Sequence, residues 1–125
     1  MAFTSQLITH KYLNSDLTPA SGSIEFSLQI AMSNSGVTLT PGSHISAALD
    51  ASGNVTGSAG IGVSLTSTQD AGTISQGTPL WRCDERVTGA PDRTWFFSLP
   101  PGPGTVDLES LMPENNPATP GLEAG

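Results

Sequence analysis

The clearest pattern in this chain is a strict alternation of hydrophobic and polar residues between positions 23 and 30. Ile24, Phe26, Leu28 and Ile30 alternate with serine, glutamate and glutamine side chains. This period of two is what a strand with one buried face and one solvent-exposed face requires. We therefore predict a strand over residues 23–30 with its four apolar side chains in the core.

Weaker alternation predicts further strands on both sides of this one. The predicted strands are residues 5–13, 45–49, 63–65, 80–87, 93–99 and 105–108, and another begins at residue 55. Residues 37–39 form a short strand or a loop, and residues 109–112 a helical turn. Glycine, proline, asparagine and aspartate mark the turns between them, including a hairpin at residues 50–54. The glycine-rich run 57–62 predicts a bulge or an irregular edge, and residues 66–78 a long polar connection between two sheets.

The stretch 76–108 contains both tryptophans, all three arginines and the single cysteine. Alternation over residues 80–87 places Trp81, Cys83, Glu85 and Val87 on the inner face, with Glu85 near the strand end, where it still reaches water. In the next strand it sends Trp95, Phe97 and Leu99 into the core. The remaining side chains form a predicted exposed ribbon, which comprises Arg82, Asp84, Arg86, Asp92, Arg93 and Phe96. Phe96 is either covered by a loop or exposed for a partner.

Composition and charge narrow the class of protein. The chain has 125 residues, with four basic and eleven acidic side chains and a net charge of −7. Nucleic acids and anionic membranes are therefore unsuitable partners, because binding either depends on lysine and arginine. The length suits one domain, which we place at residues 1–112, followed by a Pro-rich acidic arm at 113–125 that is extended and mobile in solution. No signal peptide or membrane span is recognised at the start, so we expect synthesis and folding in the cytoplasm.

Candidate chemistry is sparse. His10 and His44 lie in no recognisable catalytic motif, and no G-x-S-x-G sequence is present, so we predict that the protein is not an enzyme. We predict that Cys83 is a small, buried hydrophobic residue of a strand. Oxygen side chains alternate at residues 50–54 as in a calcium loop, but Ile61 stands where a bidentate carboxylate is needed. We predict neither a metal site nor a cofactor.

Aromatic side chains are the one feature that leaves a ligand site open. A sugar-binding platform needs exposed ring faces, and the candidates are Tyr12, Trp81, Trp95 and Phe96. Both tryptophans fall in phase with core residues, which favours a structural role for them. A glycan therefore remains an alternative partner.

From residue 19 onward the chain resembles a β-sandwich module found in minor tail proteins and other virion proteins of bacteriophages that infect actinobacteria. The resemblance rests on T-P-A-S-G at residues 18–22, A-L-D-A-S-G at 48–53, Trp81 with E-R-V-T-G-A-P-D-R at 85–93, L-P at 99–100 and G-T-V-D-L-E-S-L-M-P at 104–113. These motifs span about four-fifths of the chain. Members of the family carry the module fused to a fibre segment, whereas this chain stops at Gly125. The run 57–62 is also richer in glycine than the family pattern.

The resemblance implies an Ig-like or prealbumin-like β-sandwich of about seven strands with flexible termini. It further implies a non-enzymatic structural protein of the virion, either a decoration component on the capsid or a minor tail protein. Its partners would be the major capsid or tail proteins, and the chain itself would be a homo-oligomer or present in many copies on a symmetric particle. We expect docking through the outer ribbon and through residues 2–7 and 113–125, with these contact residues: Arg82, Arg86, Arg93, Phe96, Pro113, Pro117 and Leu122. The alternative is a carbohydrate-binding module that attaches the particle weakly to host-surface or mucus glycans.

Overall fold

The structure is a computed structural model, and it describes residues 3–42, 44–57 and 60–112. The strands in these residues are β1 (Ser5–Thr9), β2 (Gly22–Leu28), β3 (Met32–Asn34), β4 (Val37–Leu39), β5 (His44–Leu49), β6 (Val55–Gly57), β7 (Gly60–Ile61), β8 (Val63–Thr66), β9 (Ile74–Ser75), β10 (Trp81–Val87), β11 (Arg93–Phe97) and β12 (Gly104–Asp107), followed by a 3-10 turn, Leu108–Ser110. The predicted all-β, sandwich-like fold is confirmed. Its helical structure is a three-residue turn, so no helix of the described chain could span a bilayer.

The strands form three sheets. The largest has the order β11-β10-β2-β5-β6-β7, and every pairing in it is antiparallel. A second sheet has the order β12-β1-β8, with β1 parallel to β12 and antiparallel to β8. A small third sheet is β4-β3-β9. Side chains from the first two sheets share one hydrophobic core, so these sheets face each other as the two layers of a sandwich.

Large apolar side chains from both layers fill this core. Phe26, Trp95 and Ile24 from the large sheet and Ile8 from the second sheet have no exposed surface. The Phe26 and Phe97 rings meet edge to face at a centroid distance of 6.2 Å. Each such side chain stabilises the fold by about 1.5–3 kcal/mol through burial alone. The predicted core positions of Trp81, Cys83, Trp95, Phe97 and Leu99 are confirmed.

Several predicted boundaries are wrong in detail. The described residues contain twelve strands rather than about seven, and five of them have only two or three residues. β2 ends at Leu28, and Ile30, predicted to be in the core, is only half-buried. The connection 66–78 does run from the second sheet to the largest, but it contains β9, which pairs with β3. Such short strands pair too few residues to produce a readable alternation.

The hairpin between β5 and β6 has the turn that its sequence predicts. Asp50 Oδ1 accepts hydrogen bonds from the backbone N–H groups of Ser52 at 2.8 Å and Asn54 at 2.9 Å. These two bonds lower the pKa of the Asp50 carboxyl. Gly53 has a φ of +86° and lies against the Tyr12 carbonyl, where a side chain would collide with that backbone. This turn therefore fixes the hairpin against the segment that follows β1.

Candidate functional site

The hairpin β10–β11 carries most of the charged and aromatic residues that the sequence singled out. Its register pairs Cys83 with Trp95 and Glu85 with Arg93 on the inner face. On the outer face it pairs Arg82 with Phe96 and Asp84 with Thr94. The hairpin lies at one border of the large sheet, and within the described residues β11 pairs with β10 alone.

A buried polar cluster joins this hairpin to the segment after β1. Arg93 Nε donates to Glu85 Oε1 at 2.6 Å, and Arg93 Nη2 donates to Glu85 Oε2 at 3.1 Å. The Tyr12 hydroxyl donates to Glu85 Oε2 at 2.6 Å. Burial and then the nearby Glu85 carboxylate raise the pKa of the Tyr12 phenol well above its ordinary value. Three side chains from distant parts of the sequence thus hydrogen-bond to one another around the buried Glu85 carboxylate, with Tyr12 and Arg93 half-buried.

Two predictions about these residues are wrong. Glu85 was expected to reach water, but only 7% of its side chain is exposed. Arg93 was assigned to the outer ribbon, yet it lies on the inner face against Glu85, with 34% of its side chain exposed. The sequence contained the signal, since Arg93 is two residues from Trp95 and therefore on the same face of the strand. Its Nη2 atom also lies 3.8 Å from Met112 Sδ.

The outer face is also more internally paired than the sequence suggested. Asp84, predicted to be exposed, is buried and accepts hydrogen bonds from Thr94 Oγ1 at 2.6 Å and Arg82 Nε at 3.2 Å. Arg86 lies 3.7 Å from Glu25, the residue of β2 that pairs with Asp84 of β10. The two arginines therefore flank two adjacent carboxylates and offset their repulsion. Arg82 and Arg86 remain about half exposed.

The other predicted docking residues have separate positions. Phe96 is half-buried on the outer face beside Arg82. Pro113, Pro117 and Leu122, together with the rest of 113–125, lie outside the described residues. Of the residues predicted to dock, the structure therefore places Arg82, Arg86 and Phe96 on the outer face of the hairpin and Arg93 on the inner face.

No arrangement in the described residues combines the groups of a hydrolytic or metal site. His10 Nδ1 lies 2.7 Å from Asp107 Oδ1, as in a catalytic dyad. Within the described chain, however, no serine hydroxyl or thiol hydrogen-bonds to this imidazole, and its ring instead meets Tyr12 edge-on at 4.8 Å. Cys83 is buried, and burial raises the pKa of its thiol, which makes it a poor nucleophile. The described histidine, cysteine and acidic residues likewise form no cluster of three suited to a metal.

A feature that the sequence did not predict is an open seam along β8, between the two layers. It consists of two adjoining grooves of about 320 Å³ and about 300 Å³, and Ile45 lines both. The first is lined by Leu7, Ile45, Ser46, Gly57, Ile61, Gly62, Val63 and Ser64, and the second by Leu28, Thr38, Leu39, Thr40, Ile45, Thr66 and Trp81. The available signal was Ile61, a large apolar residue between two glycines in the run predicted to be irregular.

Comparison with models of protein families and with curated proteins found no match to this chain.

Proposed function

We propose that the chain is a non-enzymatic structural component of a bacteriophage particle, exposed on the capsid or the tail. The observation that carries this proposal is how one of the motifs behind the resemblance, E-R-V-T-G-A-P-D-R at 85–93, is used in the fold. Its first and last residues, Glu85 and Arg93, form the 2.6 Å ion pair that joins β10 to β11. The motif therefore encodes a folding unit and leaves no reactive group in a cleft. That is what a structural module requires.

Surface charge supports the same role. A net charge of −7 keeps free copies mutually repelling and soluble before assembly, and docking on a particle then depends on local surfaces. Arg82 and Arg86 are two of only four basic residues, and both lie on the outer face of the large sheet with Phe96. On this face the two arginines offset the charges of Asp84 and Glu25, so a neighbour can dock there with less repulsion than on the rest of the acidic surface. The major capsid or tail protein is the partner that we propose for this face.

Purification of the particle tests this function directly. Heads and tails of the virus that encodes the chain are separated, and the chain is quantified in each by mass spectrometry against the major capsid protein. We expect a fixed stoichiometry in one of the two fractions. Recovery of the chain only in the soluble lysate, alongside the soluble lysis enzymes, would exclude the structural role.

Variants then identify the docking surface. Replacement of both Arg82 and Arg86 by serine is expected to lower the occupancy of the chain on the particle. Loss of the exposed Arg86–Glu25 pair costs the fold at most about 1 kcal/mol, whereas loss of Arg82 leaves the buried Asp84 carboxylate without its cation and costs more, so thermal unfolding must show that the variant is folded. Lys11→Ser is the matched control, because Lys11 is exposed and lies on the segment after β1. Deletion of residues 113–125 tests the proposed arm in the same assay. Unchanged occupancy in either variant removes that surface from the proposal.

The second candidate is a weak glycan-binding module, and Phe96 is the observation that favours it. This ring is partly accessible on the outer face and lies beside Arg82, so it offers a stacking surface next to hydrogen-bond donors. Glycan-array binding that Phe96→Ala abolishes would support this function. Ile74→Ala, at an apolar side chain exposed elsewhere, is the control. Trp95 is unsuited to this test because it belongs to the core.

A further inference from the structure

One edge of the second sheet leaves backbone hydrogen-bonding groups without a strand partner. Just beyond the paired residues of the antiparallel strands β1 and β8, Ser67 N–H donates to the Thr4 carbonyl at 2.9 Å, so this pair occupies a hydrogen-bonded position of the ladder. Hydrogen-bonded and non-bonded pairs alternate along such a ladder. The pairs Ser5–Thr66 and Leu7–Ser64 are therefore non-bonded. The backbone groups of Ser64 and Thr66 accordingly face away from β1.

Two contacts show that this outer edge of β8 faces the seam. Gly62 N–H, on the same side, donates to the Val55 carbonyl at 2.8 Å. Trp81 Nε1 donates to the Thr66 carbonyl at 2.9 Å from across the seam. Apart from the single parallel bridge between Gly62 and Thr56 of β6, no strand among the described residues pairs with this edge. Both backbone groups of Ser64 and the N–H of Thr66 thus remain available between these two contacts.

The seam itself is uncharged. None of its lining residues is an aspartate, glutamate, lysine or arginine, although the chain has fifteen such side chains. Its walls are apolar, and Ile61 at one end is 61% exposed. Its polar lining residues are serines and threonines, which add hydroxyls to the backbone groups of β8. A charged occupant would lose its hydration there without gaining a partner.

We propose that the seam binds an extended, uncharged segment of a partner polypeptide, which adds a strand to the sheet β12-β1-β8 along β8. Strand addition supplies main-chain hydrogen bonds from the edge and takes alternate side chains into the flanking grooves. Strands pair at about 4.7–4.9 Å, so the occupant must enter the depression as a single extended chain. This proposal depends on the edge of β8 and its flanking grooves, and it does not depend on whether the chain belongs to a virus particle.

Two other occupants fit this site less well. A second folded copy would have to bring its own β8 between the groove walls of the first, and its own walls, including the exposed Ile61, would obstruct that approach. Residues 113–125 of a neighbouring copy contain three prolines and two glutamates. Proline has no N–H to give to a ladder, and the glutamates would enter an uncharged groove. A sequence in which valine alternates with serine or threonine has an N–H at every residue and carries no charge, so it suits both the ladder and the groove.

Hydrogen exchange with a synthetic peptide tests the proposal. The probe is acetyl-TVSVTVS-amide, added to the full chain while amide exchange and chemical shifts are followed by NMR. We expect the Ser64 and Thr66 amides to be protected at least about tenfold more in the complex than in the free protein. Two control peptides are N-methylated, one at every valine and one at every serine and threonine. Only one set of amides can face β8, so one control peptide should bind and the other should not.

Variants of the protein give an independent readout. Ser64→Pro removes the outward N–H without removing a bond to β1, and it should weaken peptide binding by about tenfold or more, whereas Ser64→Ala should stay within about twofold. Ile61→Glu, which leaves the backbone of β8 intact, should weaken binding similarly, and Ile74→Glu is its exposed control. Peptide saturation that leaves Ser64 and Thr66 exchange unchanged would overturn the proposal. So would equal binding of both methylated peptides, or concentration-dependent self-association that protects Ser64 in the absence of peptide.

Discussion

The hairpin β10–β11 and the strand β8 both lie at borders of the sandwich, but the two borders are closed in different ways. At the hairpin, Glu85, Arg93 and Tyr12 form a buried cluster that ties the hairpin to the segment after β1. Along β8 the layers separate around an uncharged groove with unpaired backbone groups. Charged side chains are thus concentrated where the layers are joined. The open border is the one that can accept another chain.

The largest expected effect is at the core beneath the closed border. Trp95 is fully buried, and Trp95→Ala should destabilise the fold by about 3–5 kcal/mol through lost burial and the remaining cavity. Trp95 Nε1 has no hydrogen-bond partner among the described residues, so Trp95→Phe forfeits no hydrogen bond and should cost less than half as much. Urea denaturation measures both. Equal losses for the two variants would contradict this account of Trp95.

The second largest effect is expected from loss of the ion pair between Glu85 and Arg93. Arg93→Ala leaves the Glu85 carboxylate buried without its cation, which costs about 3–5 kcal/mol for a fully buried pair. Because Arg93 is 34% exposed, we expect about 2 kcal/mol. The double variant with Glu85→Leu should recover part of this loss, since no charge is then left unpaired. Additive losses in a double-mutant cycle would show that the two side chains do not act together.

A smaller effect is expected in alkaline solution. The folded protein raises the pKa of Tyr12, whereas the unfolded chain releases this proton near the ordinary value of about 10. The stabilisation is therefore complete below pH 10 and falls as the pH rises above it, by up to about 1.4 kcal/mol per pH unit. Tyr12→Phe should make this dependence shallower between pH 10 and 11.5, as followed by thermal unfolding, while the buried Cys83 thiol, whose pKa is also raised, keeps its own share of the slope. An unchanged slope would mean that the phenol ionises freely in the folded state.

The smallest effect is at the open border. Ile61 contributes little to the core because it is 61% exposed, so Ile61→Ser should change stability by less than about 0.5 kcal/mol. Ile24→Ala, at a buried residue of β2, is the contrasting variant and should cost about 2–5 kcal/mol. Urea denaturation of both gives the comparison. A large loss for Ile61→Ser would mean that the seam is part of the core.

The alternation in the sequence was sufficient to predict the long strands and their buried faces. Ile24, Phe26, Trp95 and Phe97 could be assigned because β2 and β11 pair over enough residues for a period of two to be visible. The turn at residues 50–54 followed from local chemistry, because its bonds lie within five residues. Strands of two or three residues, such as β7 and β9, could not be recognised in this way.

What the sequence by itself determined was the class of fold, the inner faces of the long strands and an acidic surface with few cations. Tertiary structure decided how the polar residues are used. Glu85 meets Tyr12 across 73 positions of the chain, and β1 pairs with β12 across almost the whole domain. The charged residues of the hairpin β10–β11 therefore mostly pair with one another instead of forming the exposed ribbon that the sequence predicted. The open edge of β8 could not be predicted either, because a missing strand partner becomes evident only when all the sheets are assembled.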